Sequence, residues 1–200
     1  AAQPHRGTAS ARLSADFTRD AVRVDVSTRQ VVAAGVTHQV HDVAVERKRD
    51  VLTRILTEHG AGQALVFCRT KRGANRAGED LGRRGVRTGN IHSNKSQGAR
   101  SRALDDFKAG RVRVLVATDI AARGLDIAHL PLVVNFDLPL VPQDYVHRVG
   151  RTGRAGQTGR AVSLVSASEA GLLRQIQRVV AAPLERVALS APVQPSDRGE

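Results

Sequence analysis

Val112-Arg113-Val114-Leu115-Val116-Ala117, followed at once by Thr118-Asp119-Ile120-Ala121-Ala122-Arg123-Gly124-Leu125-Asp126-Ile127, decides the fold class. Apart from Arg113, the first six residues are apolar on both faces of an extended chain and do not alternate with polar ones. A strand of this kind is covered on both sides, which is the pattern of a buried parallel sheet. Leu132-Val133-Val134 reads the same way.

Outward from this stretch, short β-branched runs alternate with helical periods from about Val36 to Ser166, with no internal repeat. Further strands are predicted at Thr37–Val45, Ala64–Cys68, Thr88–His92, Leu132–Phe136 and Ala161–Val165. Helices are predicted at Glu46–His59, Lys71–Arg84, Gln97–Ala109, Gln143–Val149 and Ser168–Val180. Val51, Leu52, Ile55 and Leu56 form one apolar face that Gly60 ends. Ser96 is placed to cap the helix that Gly110 stops, and Pro142 suits a first helical turn. Strand, helix and parallel strand repeated in this way predict a three-layer α/β domain: a mainly parallel central sheet flanked by helices, joined by right-handed crossovers. Ligands then belong at the carboxyl ends of the strands.

Composition narrows the partner. The 200 residues allow one domain with arms, and the formal net charge of +12 comes mainly from 27 Arg against four Lys. Such a surplus favours a polyanion, although an arginine-rich coding bias would give the same count. Aromatics make up only 2% of the chain, so stacking on splayed bases is disfavoured and a nucleic acid would be held by its backbone. The single Cys68 sits in an apolar run and reads as a small core residue. No apolar stretch approaches a membrane span and no signal-peptide core is present, so a cytoplasmic protein is expected. The chain has no Met, even at position 1, which suggests a piece of a longer protein. Residues 1–35 are expected to be the end of a preceding unit, 36–180 the domain, and 181–200, with Pro183, Pro192 and Pro195, a flexible tail.

Four clusters fall at the ends of predicted strands. Val66-Phe67-Cys68-Arg69-Thr70-Lys71-Arg72-Gly73 runs from a strand into a basic turn and a helix, a place where backbone N–H groups and cations meet an anion. In Ile91-His92-Ser93-Asn94-Lys95-Ser96-Gln97-Gly98-Ala99-Arg100, Gln97 and Arg100 are three apart and can point to one side of a helix N-terminus. The segment after Ala117 packs Thr118, Asp119, Gly124 and Asp126 together. Gly124 permits close backbone approach, and Asp126 can accept from a ribose hydroxyl or simply close a turn, as Asp119 can simply cap a helix. The fourth cluster, His147-Arg148-Val149-Gly150-Arg151-Thr152-Gly153-Arg154, spaces three arginines by three. They form either a solvated face or a grip on a polyphosphate.

In order and spacing these segments resemble the carboxy-terminal RecA-like domain of DEAD-box RNA helicases in superfamily two. ALVFCRTKRGAN resembles the family's fourth motif, QGAR its Gln-x-x-Arg motif, VLVATDIAARGLDI its fifth and YVHRVGRTGRAGQTGRA its sixth. The resemblance covers roughly Thr37 to Val180, and the wording IH-NKSQGAR-RAL is most similar to the bacterial RhlE-type branch. It implies that Arg151 and Arg154 are arginine fingers for the γ-phosphate of ATP, and that Gly124 and Asp126 approach the nucleotide, Asp126 at its ribose. It also implies that Thr70, Gln97, Arg100 and Thr118 contact the RNA sugar-phosphate backbone, and that His147 and Arg148 couple the domain to a partner domain.

ATP and Mg²⁺ are implied as well, held mainly by a first RecA-like domain. No Gly-x-x-x-x-Gly-Lys-Ser/Thr loop and no Asp-Glu-Ala-Asp box occurs in the 200 residues, and Ala9–Val26 resembles only the end of that domain. Ser93 stands where the family commonly has Gly. The resemblance therefore predicts RNA and the first domain in cis as partners, no membrane, a monomer, and no ATPase from this chain alone. The alternative is a non-catalytic RNA-binding or interaction module derived from a helicase. A DNA helicase fits the fifth and sixth segments less well.

Overall fold

The run that opens the sequence reading forms a wholly buried strand, Val114–Ala117, in a computed structural model describing residues 35–60, 62–122, 124–127, 129–153, 158–180 and 182–189. It is β4 of seven. The others are β1 (Val36–Asp42), β2 (Ala64–Phe67), β3 (Thr88–Ile91), β5 (Leu132–Asn135), β6 (Gly159–Val165) and β7 (Glu185–Arg186). The helices are α1 (Lys48–Glu58), α2 (Lys71–Arg83), α3 (Gln97–Lys108), α4 (Asp119–Ala122), α5 (Pro142–Val149) and α6 (Ala170–Val179). The sheet order is β3-β4-β2-β5-β6-β1-β7, and every pair is parallel. The α/β reading with a mainly parallel sheet is borne out.

Successive residues of a strand point to opposite faces, and both faces are covered. Ala64 and Val66 of β2 meet Val51, Leu52, Ile55 and Leu56 of α1 and Ala74, Ala77 and Leu81 of α2. Leu65 and Phe67 turn the other way, onto Phe107 of α3 and Ala121 and Ala122 of α4. Farther along that second face, Ala161 and Val165 of β6 pack on Tyr145 and Val149 of α5 and Leu173 and Ile176 of α6. The sheet is the middle layer of three.

Boundaries depart from expectation where a side chain has other work. β4 begins at Val114, not Val112, and Arg113 spends its guanidinium on the Leu56 and Gly60 carbonyls at the end of α1. β1 stops at Asp42, and a 3-10 turn at Val45–Arg47 leads into α1. The one-turn helix α4 is too short for periodicity to reveal it. Part of the tail expected from 181 is built into the fold. Glu185–Arg186 pairs with β1, the Val187 N–H donates to the Val40 carbonyl at 2.9 Å, and Leu184 and Leu189 pack on the core. The rest of that tail, and the arm at 1–34, lie outside the described residues.

Candidate functional site

The loops after β2, β3, β4 and β5 converge on the carboxyl edge of the sheet and leave a cleft of about 360 Å³ lined by Arg69, Lys71, Ser93, Thr118, Leu140 and Val141, among others. The loops after β2 and β3 each end in the N-cap of the helix that follows. Thr70 is the N-cap of α2, its Oγ1 accepting from the Gly73 N–H at 2.9 Å, and Ser96 caps α3 by accepting from Ala99 at 3.3 Å. Lys71 Nζ donates to Asn94 Oδ1 at 2.9 Å, tying α2 to the β3–α3 loop. Buried His92 sits beneath this link, with Nε2 at 2.8 Å from Asn75 Oδ1 while Nδ1 accepts from the Asn94 N–H at 3.3 Å. That pairing requires the neutral ring with its proton on Nε2. Burial, then the Lys95 and Lys71 charges, hold the His92 pKa below the ordinary imidazole value.

Gln97 and Arg100 do share a side of α3. Arg100 Nη1 donates to Gln97 Oε1 and Nη2 to the Ala121 carbonyl, both at 3.3 Å, while the buried Arg100 Nε has no partner. Thr118 follows β4 directly and is 9% exposed. Gly124 has φ +77°, a conformation that disfavours a side chain, and the space where a Cβ would stand is open. Asp126 is at the surface, and Lys108 Nζ at the far end of α3 approaches its Oδ2 to 2.9 Å. This contact holds the Asp126 carboxyl below its usual pKa range.

Arg148 and Arg151 of the fourth cluster line one small pocket with His147, Asp119 and Phe67, but they bond to different partners. Arg148 points into the protein, 2% exposed, with Nε and Nη2 on the two Asp119 oxygens at 2.6 and 2.7 Å. Its Nη1 donates to Asn135 Oδ1 at 2.9 Å and the Asp137 carbonyl at 2.6 Å, and the guanidinium lies 4.9 Å from the Phe67 ring centroid. A buried cation with this many partners joins the ends of β2, β4 and β5. Arg151 lies just past the end of α5, and its Nη1 donates to the Leu125 carbonyl at 2.9 Å beside Asp126. His147 is exposed on α5, and Arg154 lies outside the described residues.

One buried network was not legible in the sequence. Lys48 Nζ, on a side chain 3% exposed, reaches Glu169 Oε2 at 2.6 Å and the Phe136 carbonyl at 2.9 Å. Glu169 Oε1 also accepts from Arg69 Nη2 at 2.8 Å, and Asp137 Oδ2 accepts from the Arg69 N–H at 2.9 Å. Burial pushes the Glu169 carboxyl up, but Lys48 and the Ser166 hydrogen bonds outweigh it and hold its pKa low. Only the pairing of a lysine in an apolar helix face with a distant glutamate could have signalled this, and spacing carries no such information.

Among the described residues there is no group of three or more His, Cys, Asp or Glu that could hold a metal ion. No helix among those residues is long and apolar enough to cross a membrane.

Comparison with known proteins matches residues 47–156 to the family described as helicase conserved C-terminal domain. The chain is 40% identical over 176 residues to the DEAD-box ATP-dependent RNA helicase CshA of Geobacillus kaustophilus, covering 88% of this chain and 38% of the relative. It is 36% identical over 176 residues to the ATP-dependent RNA helicase DbpA of Bacillus subtilis, covering 88% of this chain and 37% of that one. The chain thus spans well under half the length of these relatives. Among solved structures, the E. coli DEAD-box protein SrmB, bound to regulator of ribonuclease activity A, superposes with a TM-score of 0.71 at 34% identity, over 78% of this chain and 91% of that one. S. cerevisiae Dbp5 bound to RNA and ADP BeF3 gives 0.78 at 31% identity, over 89% of this chain and 48% of that one. With the three-layer parallel sheet, these matches establish that the chain belongs to the helicase C-terminal domain family, as the C-terminal helicase domain of a DEAD-box protein.

Proposed function

We propose that this domain is the second lobe of an ATP-dependent DEAD-box RNA helicase of the RhlE-type branch, a cytoplasmic monomer that opens short duplexes when two lobes close over ATP and RNA. The observation that carries the reading is the grouping at one edge of the sheet. Arg69, Lys71, Ser93 and Thr118 border the cleft, with Thr70 between the first two in sequence and Arg100 of α3 bonded to the Ala121 carbonyl, while Arg151 is docked against the loop that carries Gly124 and Asp126. Hydroxyls, amides and cations on that edge suit a sugar-phosphate backbone, in keeping with the near absence of aromatics. In this reading Thr70, Gln97, Arg100 and Thr118 hold RNA phosphates and sugars, and Asp126 receives the ribose of ATP.

Arg151 and Arg154 are the arginine fingers, offering positive charge where it builds on the transferring phosphoryl group; fingers of this kind contribute about 10³ to 10⁵ in rate. Magnesium and the phosphate-cradling lysine come from the first lobe, which this chain meets in cis. Three of the large exposed apolar side chains, Ile120, Leu140 and Val141, rim the same cleft and give the first lobe an apolar seat. His147, exposed on α5, faces the same closure. Arg148 acts indirectly, by fixing Asp119 and with it the start of α4.

The chain alone binds RNA weakly and does not hydrolyse ATP. The test is magnesium-dependent ATPase of the purified 200 residues with and without the first lobe supplied in trans, in the presence of RNA. Hydrolysis only with both lobes, abolished by Arg151→Ala, is the expected result. ATPase from the chain alone, or none from the recombined lobes despite RNA binding by the chain, overturns the enzymatic reading and leaves an RNA-binding module.

A further inference from the structure

Arginines on α1 and at the C-terminal end of α2 are paired with carboxylates: Arg49 and Arg83 share Asp80, Arg84 at the C-cap meets Asp50, and Arg54 meets Glu58. The first half of α2 is different. Arg72 and Arg76 are both exposed, and among the described residues neither side chain has a hydrogen bond or ion pair. They stand four residues apart, a spacing at which like charges oppose helix formation. Lys71 and Arg72 occupy the first turn, which holds no acid, where free N–H groups and the helix dipole already make the potential positive. Glu79, one turn on, forms no ion pair with either arginine.

The surface is continuous with the cleft. Lys71 lines the cleft and is bonded to Asn94, and Lys95 follows in the same loop, its side chain exposed and without a partner among the described residues. The field of this corner is felt inside the protein, where the Lys95 and Lys71 charges add to burial in keeping His92 neutral. Along α2, Arg76 lies about 6 Å beyond Arg72 at 1.5 Å per residue, close to the length of one nucleotide in an extended strand. No aromatic residue occurs on α2, so a partner here is read through its charge.

We propose that Arg72 and Arg76 of α2, with Lys95 beside them, form a second phosphate-contacting track that carries RNA onward from the cleft. The track rests on the RNA reading of the cleft and adds to it a length requirement. An RNA that fills only the cleft does not reach Arg72 and Arg76, and a longer one places successive phosphates against them. The contacts are to the backbone, so they raise affinity without selecting sequence.

The test is binding of the purified chain to labelled single-stranded RNAs of about six and about fifteen nucleotides, across a salt series. For the longer RNA, R72Q/R76Q lowers the slope of log affinity against log salt by about 1.4 and weakens binding roughly fivefold, since each phosphate contact on a single strand contributes about 0.7 to the slope. Binding of the shorter RNA is unchanged. The control is R174Q/R178Q, which removes two exposed, partnerless arginines from α6 and leaves both RNAs unaffected. Circular dichroism verifies that both double variants are folded. An unchanged slope for the longer RNA, equal losses for both lengths, or an equal effect from the α6 pair overturns the track alone. If neither RNA binds the unaltered chain, the cleft reading itself falls and takes the track with it.

Discussion

Arg148 and Asp119 face each other through two parallel contacts, Nε to Oδ1 at 2.6 Å and Nη2 to Oδ2 at 2.7 Å, with the arginine 2% exposed. The pair joins α5 to the start of α4, so a residue in the sixth motif holds one in the fifth.

Breaking this pair from one side leaves a buried charge. Asp119→Ala is expected to cost about 3 kcal/mol, and the double variant Asp119→Ala/Arg148→Met much less, because no uncompensated guanidinium remains. Urea denaturation of the single and double variants measures the difference.

Thr70 has two separable roles. Thr70→Ala removes the cap of α2 and should lower stability by about 1 kcal/mol, whereas Thr70→Ser keeps the hydroxyl and should leave it nearly unchanged. If the same hydroxyl also meets RNA, affinity falls for the alanine variant and is retained by the serine variant. Thermal melts and RNA titration of both variants separate the roles.

Lys108 is expected to govern the acidity of Asp126. In Lys108→Ala the carboxyl returns toward the ordinary aspartate range, and the melting temperature stays where it was because the pair is exposed. Carbon-13 NMR titration of the aspartate carboxyl follows the change.

Stability should fall on acidification in two stages. Burial holds His38 below its ordinary value, and burial with Lys95 and Lys71 does the same for His92. The unfolded chain therefore takes up protons first as pH drops below about 6.5, and stability declines there. The Glu169 carboxyl is held low by Lys48 and Ser166 against the pull of burial, so its contribution is in place above the unfolded value near about 4.3 and is lost as pH falls through the lower folded one. Denaturant midpoints from neutral to acid pH should show both declines, and Glu169→Gln should flatten the second.

The sheet was legible because its strands announce themselves. Ala64 to Phe67, Val114 to Ala117 and Leu132 to Val134 are apolar on both faces, and every residue in them is buried. Caps at Thr70 and Ser96 fix where α2 and α3 begin, and the Ser96 cap was predicted from the serine itself. Directions of single side chains were not legible. Arg148 and Arg151 do line one pocket, yet spacing did not tell that the first is buried on Asp119 while the second, past the end of α5, bonds to the Leu125 carbonyl. The Lys48–Glu169 pair joins residues 121 apart in sequence, which no local pattern encodes. β7 escaped because two residues and a nearby Pro183 look like a tail until β1 offers them an edge.

Helix α3 is fastened at both ends to the stretch that follows β4: Arg100 near its start to the Ala121 carbonyl, Lys108 at its finish to Asp126. Twelve residues of helix make a strut about 18 Å long. Any ligand that shifts Gln97 and Arg100 therefore tugs on a lever whose other end meets Asp126, a mechanical link between the two clusters that does not pass through the sheet.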